Sequence, residues 1–456
     1  MSSTSANSEL STSSSPSNFR RVLSLQDLVL FGIAFVSPTA PYALFGIVAE
    51  KSHGHVPLVY LIAMFAMSFT AVSYGRMAMA YPESGSTYSF AAKALHPNVG
   101  FFAGWGMILD YILVPLLSII YVSLTASRLV PQVPYPVWVV FTAAGITAIN
   151  LRGIEMTARA NLVLNLVMIA SLVWFILAAI IALVGGAGEG RLLSARSFYN
   201  QATFSLAPVM GATSIAVLSF LGFDGITTLS EDARNGSRDV ARATILVCFI
   251  CGALFVLQTY LAQMVWPDSS NFNQVETAFM DVSRRVGGEA LFYFVSLALV
   301  VAGLGSSITG QASASRLLCG MGRDRLLPQR IFGYVHPKLG TPVYSVFLMG
   351  AIHLVGAAWL RFGEAAEVIN FGAFVGFMAV NLAVVRHFFF RLRHRNGLDV
   401  LLNLVFPLLG FGVCFYIWLN LSRFSLMLGA TWMLLGFLYL LFLTRGFRRT
   451  LVDLKL

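Results

Sequence analysis

The sequence predicts an all-α integral membrane protein of about twelve transmembrane helices. Three observations carry this. Of 456 residues, 57% are hydrophobic and only 11% charged, with a mean hydropathy of +0.77. The apolar residues fall in runs of roughly 18–25, the length that spans hydrocarbon as a helix. The alternating pattern of a membrane β-barrel does not occur.

Spans are expected near 27–49, 57–80, 99–127, 135–150, 161–185, 205–230, 241–266, 290–317, 342–360, 366–388, 400–420 and 426–444. Residues 1–22, rich in Ser and Thr, read as a disordered tail rather than a cleaved signal. A twelve-helix unit would occupy 23–445, followed by a tail over 446–456. The links between spans leave no room for a soluble catalytic domain. Orientation follows from the basic residues. Of 30 lysines and arginines, 22 fall in alternate segments that include the N-terminal one and 8 in the others. That bias puts both termini on the cytoplasmic side of the cell (inner/cytoplasmic) membrane. The net charge of +10 is then topology, with no nucleic-acid partner implied.

Enzyme chemistry finds no support. Cys248 and Cys251 form a CxxC inside an apolar run with no second ligand pair, which reads as helix packing. Gly185–Gly190 lacks the lysine and Ser/Thr of a phosphate loop. No metal ligand set, nucleophile–base pair or cofactor loop is visible, so no cofactor and no metal are expected.

The informative spans are those built badly for a continuous helix. In the first, Ser37-Pro38-Thr39-Ala40-Pro41 interrupts the run. Pro38 cannot donate to the carbonyl of Ala34, nor Pro41 to that of Ser37. In hydrocarbon a freed carbonyl must find a partner, so the break lines a cavity or binds something. In the sixth, Ser219-Phe220-Leu221-Gly222-Phe223-Asp224-Gly225 sets two glycines and a carboxylate at mid-membrane, where an ionisable group marks a functional site. Matching interruptions in corresponding halves point to a transporter of two inverted five-helix repeats, about 25–185 and 205–390, with two added helices over 400–445. Asp110, mid-way along the third span, is a second buried acid. Ser306, Ser307 and Thr309 give the eighth span a hydroxyl cluster that either ligates an ion or ties helices together. His353 reads as a packed histidine.

Taken in order, several motifs are similar to those of the amino acid–polyamine–organocation (APC) superfamily of permeases. They are Phe45-Gly-Ile-Val48, Gly54-His55-Val56-Pro57, Ser73-Tyr74-Gly75, Pro82-Glu-Ser-Gly85-Ser86-Thr-Tyr88, Gly104-Trp105, Ser219–Asp224 with Thr-Thr-Leu-Ser-Glu231, Ser315-Arg316, Met321-Gly-Arg-Asp324, Phe332–Pro337 and Thr341-Pro342. The likeness runs over about residues 22–445, and within the superfamily the chain most resembles putrescine importers.

The resemblance implies a 5+5 inverted-repeat fold with helices 1 and 6 unwound at the substrate. It implies uptake driven by H+ or Na+. Carried onto this sequence, the substrate-binding residues are Ser37, Thr39, Ala40, Asp110, Tyr111, Phe220, Gly222, Phe223, Asp224, Gly225 and Asn370, with Gly372 beside the last. The ion-coupling candidates are Asp224, Ala34, Ser306 and Ser307. Phe35, Trp105, Tyr111, Phe220 and Phe223 can offer aromatic faces to an ammonium.

Two departures bear on the substrate. Pro38 and Pro41 supply no N–H, which weakens the amide cradle that holds a carboxylate in many of these permeases and favours an amine. Ala43 and Leu44 stand where the putrescine-importer pattern carries an acid. The expected partner is therefore a small amine or an amino acid, in a lipid bilayer, with the oligomeric state open. A membrane sensor that keeps the fold without transporting is the reading from another class.

Overall fold

The computed structural model describes residues 23–81, 87–153, 158–230, 233–323 and 327–446. Both tails, Pro82–Ser86 and the motif residues Glu231 and Asp324 lie outside them. The described residues are mostly helical, joined by short turns except for two longer links over 185–205 and 266–277. The first span divides into α1 (Leu25–Val36) and α2 (Ala40–Lys51), inclined at 47° across the proline break. α1 starts on a capping box: the Ser24 hydroxyl accepts from the Asp27 N–H, and the Asp27 carboxylate accepts from the Ser24 N–H. It ends where Pro38 cannot continue it.

The chain continues through α3 (Val56–Ala80), a short α4 (Thr87–Ala94), α5 (Pro97–Leu129), α6 (Tyr135–Leu151) and α7 (Ala158–Val184). The sixth span is α8 (Leu206–Ala216) followed by 3-10 turns at Val217–Phe220 and Phe223–Leu229. Then come α9 (Ser237–Val265), α10 (Ala278–Arg323), the single turn α11 (Gln329–Phe332), α12 (Val343–Trp359), α13 (Phe362–Val384), the turn α14 (Gly397–Val400), α15 (Phe406–Leu419) and α16 (Arg423–Leu443). Among the described residues nine helices are long and apolar enough to cross a membrane. The α1–α2 pair and two shorter apolar helices, α6 and α12, come in addition.

The expected boundaries hold to within a few residues except in the eighth span. There α10 runs from Ala278, with Gly288 (φ +65°) inside it kinking two helical stretches. α4, which sequence did not suggest, is a short amphipathic turn between spans, too brief to leave a hydropathy signal.

Packing follows a regular scheme. α3 packs on α9, α5 on α10 and α6 on α12. These are the second, third and fourth spans against the seventh, eighth and ninth. α5 also packs on α13, and α10 on α7; α1 packs on α9, and α8 on α3. Moving each partner five spans along turns one contact of such a pair into the other. α16 stands at the rim, joined to α5 by reciprocal indole bonds: Trp105 Nε1 donates to the Trp432 carbonyl and Trp432 Nε1 to the Trp105 carbonyl, each at 2.9 Å.

Candidate functional site

The two breaks meet. Gly222 adopts φ +110°, a left-handed conformation that a side chain resists, and a Cβ there would stand 3.0 Å from the Phe35 carbonyl oxygen. The Phe35 ring lies over Gly225, 3.4 Å from where a Cβ would be. The backbone of the sixth span therefore passes directly beside the end of α1, and glycine is what permits it.

Each break is held from a neighbouring helix. Gln258 of α9 donates through Nε2 to the Pro38 carbonyl at 3.0 Å, and Tyr60 of α3 bonds the Ser219 hydroxyl at 3.1 Å. The Ser37 carbonyl, which Pro41 cannot serve, finds its partner within the break itself. The chain tightens there and the Ala40 N–H reaches it at 3.1 Å. Ser37 itself takes φ +64°, and its hydroxyl lies 3.3 Å from the Met168 sulfur. Thr39 is buried.

Two carboxylates face this junction. Asp224 folds back so that its carboxylate lies close to the backbone N–H groups of Gly222, Asp224 and Gly225, while the Gly225 N–H donates to the Gly222 carbonyl at 3.0 Å. Asp110 of α5 is close enough for the two charges to interact, and its Oδ1 is buried without a hydrogen-bond partner. Among the described residues no lysine or arginine pairs with either acid. Tyr111 and Tyr74 lie within electrostatic reach of both. Asn370 of α13 is fully buried; its Nδ2 donates to the Ser214 carbonyl of α8, and its Oδ1 has no partner. Gly372 lets α13 close onto the Gly106 carbonyl of α5.

Residues 27–443 match the amino acid permease family. The chain belongs to that family. It is 35% identical over 430 residues to the low-affinity putrescine importer PlaP of Escherichia coli strain K12, covering 94% of this chain and 95% of that protein. It is 24% identical to a methylthioribose transporter of Bacillus subtilis strain 168, over 93% of this chain and 92% of that one. It is 23% identical to the branched-chain amino acid permease BcaP of the same organism, over 94% of each. These are permeases and transporters, and the all-helical fold, with nine membrane-length apolar helices among the described residues, is consistent with theirs.

Not every predicted residue of this permease joins the breaks. Trp105 does not offer its face to them: it is stacked on Trp432, with ring centroids 4.9 Å apart, and fills the notch at Gly436. Phe220 and Phe223 are buried among other rings, Phe220 edge-on to Phe255 and Phe223 edge-on to Tyr74. What they bring to the junction is backbone. Ser307 donates to the Gly303 carbonyl of its own helix at 2.8 Å, and Ser306 meets the Ser118 hydroxyl of α5 at 3.4 Å. Those bonds tie α10 to itself and to α5, while Ala34 sits on α1, which packs on α9 and on the Phe223–Leu229 turn. His353 is packed as expected, its Nε2–H donating to the Ile112 carbonyl at 3.0 Å.

Two side chains escaped the sequence reading. Gln258 is one. The other is Glu367 of α13, buried and paired with Lys51 at the end of α2. It also accepts from the Ser422 N–H at 2.9 Å and the Ser425 hydroxyl at 3.2 Å. A groove of about 710 Å³ lined by Leu61, Met64, Phe198, Val256 and Leu257 is apolar and shares no residue with the breaks.

Proposed function

We propose that this permease is a secondary active transporter importing a small organic amine across the cytoplasmic membrane by alternating access. The observation that carries the reading is the charge at the junction. Two interacting acids, one with a buried unpaired oxygen, stand beside two helix breaks, and among the described residues no basic side chain pairs with either. A buried carboxylate needs a counter-charge. An ammonium ligand supplies one, and so does a proton or Na+. The printed name of the 35% identical relative, a putrescine importer, supports the same class.

A second observation separates an amine from an amino acid. The turn that resumes after Gly222 presents backbone N–H groups, the usual seat for an anion. Here the Asp224 carboxylate already lies against them, the Gly225 N–H is taken by the Gly222 carbonyl, and Pro38 and Pro41 offer none. A substrate carboxylate would have to displace Asp224, so an amine without one fits better than the branched-chain amino acid named for the more distant relative.

In this reading Asp110 is the counter-ion of the substrate and Asp224 the proton carrier. Protonation removes charge from the carboxylate and weakens its hold on the Gly222–Gly225 backbone, so proton binding and the shape of the break are linked. The paired contacts of spans one to five with six to ten support two five-helix repeats, and α15 and α16 complete twelve spans. The bias of basic residues supports cytoplasmic termini. The test is uptake of radiolabelled 1,4-diaminobutane into proteoliposomes under an imposed proton or sodium gradient. Gradient-dependent accumulation is expected. Saturable binding without accumulation would make the protein a sensor, and competition by leucine but by no amine would make it an amino-acid permease.

A further inference from the structure

Gln258 does more than clip a helix break. Its side chain is fully buried, and its amide has only one chemically acceptable orientation. The Pro38 carbonyl can only accept, so the group facing it at 3.0 Å is the NH2. The Oε1 is thereby turned away, and it is buried with no donor. Buried amide oxygens are rarely left so. Gln258 lies one turn from Phe255, whose ring meets both Tyr60 and Phe220 beside the second break. The oxygen therefore belongs to the helix face that touches both interruptions.

It is not alone. Asn370 is fixed in the same sense, its NH2 committed to the Ser214 carbonyl and its Oδ1 left without a donor, and the Asp110 Oδ1 is likewise unpaired. On these three residues the orphan atoms are thus acceptors, and the other orphan on a broken span, the Tyr42 hydroxyl of α2, can accept as well as donate. The buried side-chain N–H groups without partners among the described residues belong to Arg76, Trp138, Asn403 and Trp418, none on a broken span. A ligand that satisfies these three acceptors together brings several N–H donors on more than one centre.

We propose that Gln258 is a specificity-determining residue of the transport site, its Oε1 accepting an N–H bond from the second amino group of a diamine whose first ammonium is held by Asp110. This rests on the amine-transport reading above and deepens it. A monoamine fills the Asp110 position and leaves the Gln258 oxygen unmet; a diamine satisfies both.

The test compares 1,4-diaminobutane with butylamine, by binding to the purified full-length protein and by proteoliposome uptake. Wild type is expected to favour the diamine by tenfold or more. Gln258→Leu keeps the approximate size, loses the acceptor, and should weaken the diamine about tenfold while moving butylamine by less than twofold. Gln258→Glu gives up the amide donor to Pro38 but keeps an acceptor, and should retain the diamine preference. If Gln258→Leu weakens both ligands equally, or neither, Gln258 is only a clip on the Pro38 carbonyl and the proposal falls. So does it if Gln258→Glu loses the preference as Gln258→Leu does. Wild type that binds no amine would remove the transport reading itself, a failure visible before any variant is made.

Discussion

The two halves of the first span share a length of twelve residues and little else. α2 buries seven of its residues and α1 three. Tyr42 of α2 stacks on Phe279 with centroids 3.7 Å apart, Gly46 admits the Val275 backbone, and Lys51 is tied to Glu367. α1 instead leaves Leu30, Phe31 and Phe35 at 67%, 40% and 54% exposure and rests chiefly on α9 and the turn after Gly222. One half is pinned by rings and a partly buried ion pair, the other by a narrow apolar seam. A transporter needs one segment to move while its neighbour holds. In the proposed transport cycle the proline break would let a single span provide both, with α1, the less packed half, the one to move.

That contrast can be broken or sharpened by substitution. The largest effect is expected from Gly222→Leu. A side chain at φ +110°, 3.0 Å from the Phe35 carbonyl, must push α1 off the sixth span, and uptake should fall by more than 100-fold while the protein still reaches the membrane. Transport assays beside a membrane-fraction blot measure this, and normal uptake would separate α1 from the working site. Asp110→Asn removes the unpaired charge and should weaken amine binding by about 2–5 kcal/mol, the range for losing one partner of a desolvated pair. Calorimetric titration reads it; unchanged affinity would return Asp110 to a packing role.

Lys51→Met tests the fastening of α2. It strands a carboxylate that still receives two bonds from Ser422 and Ser425, and the lysine is itself a third exposed. A loss of roughly 1–3 kcal/mol is expected, below the range for a fully buried pair. A lower thermal midpoint that Lys51→Met with Glu367→Met recovers would confirm it, whereas an unshifted midpoint would make α2 no better anchored than α1. Asp224→Asn should have the smallest effect on affinity, within about threefold, since the shape survives and Asp110 remains. Its signature is a flattened pH profile of uptake. If the profile persists, Asp224 only closes the turn beneath it.

Much of this was legible from sequence because the bilayer simplifies the code. Apolar length placed nearly every crossing, and a break in hydrocarbon advertises itself through Pro38, Pro41, Gly222 and Asp224. What sequence hid were side chains whose role depends on which way a helix faces. Trp105 and Asp110 are five residues apart, about 140° around a helix. An aromatic near the acid in sequence therefore looks toward α16 and not toward the break. Glu364 and Glu367 open the same helix, and only packing tells that the second is buried under Lys51. Gln258 is one polar residue in a long apolar run, the usual pattern of interhelical glue. Its unpaired oxygen appears only once Pro38 is seen opposite the amide. Ser307 bonds its own backbone, as hydroxyls on a transmembrane helix readily do, and Ser306 meets Ser118 across to α5.

The seven-residue stretch Phe223–Leu229 is wound as a 3-10 helix, a form that seldom persists beyond three or four residues. Its rise of about 2.0 Å per residue exceeds the 1.5 Å of an α-helix, so the stretch is about 3.5 Å longer than its α-helical equivalent. It is a drawn coil: relaxing it to α would shorten the span by that amount and turn every side chain beyond Gly222 about the axis. Gly222 is the swivel at its upper end. A stroke of that size, generated inside a single crossing, requires no hinge between domains.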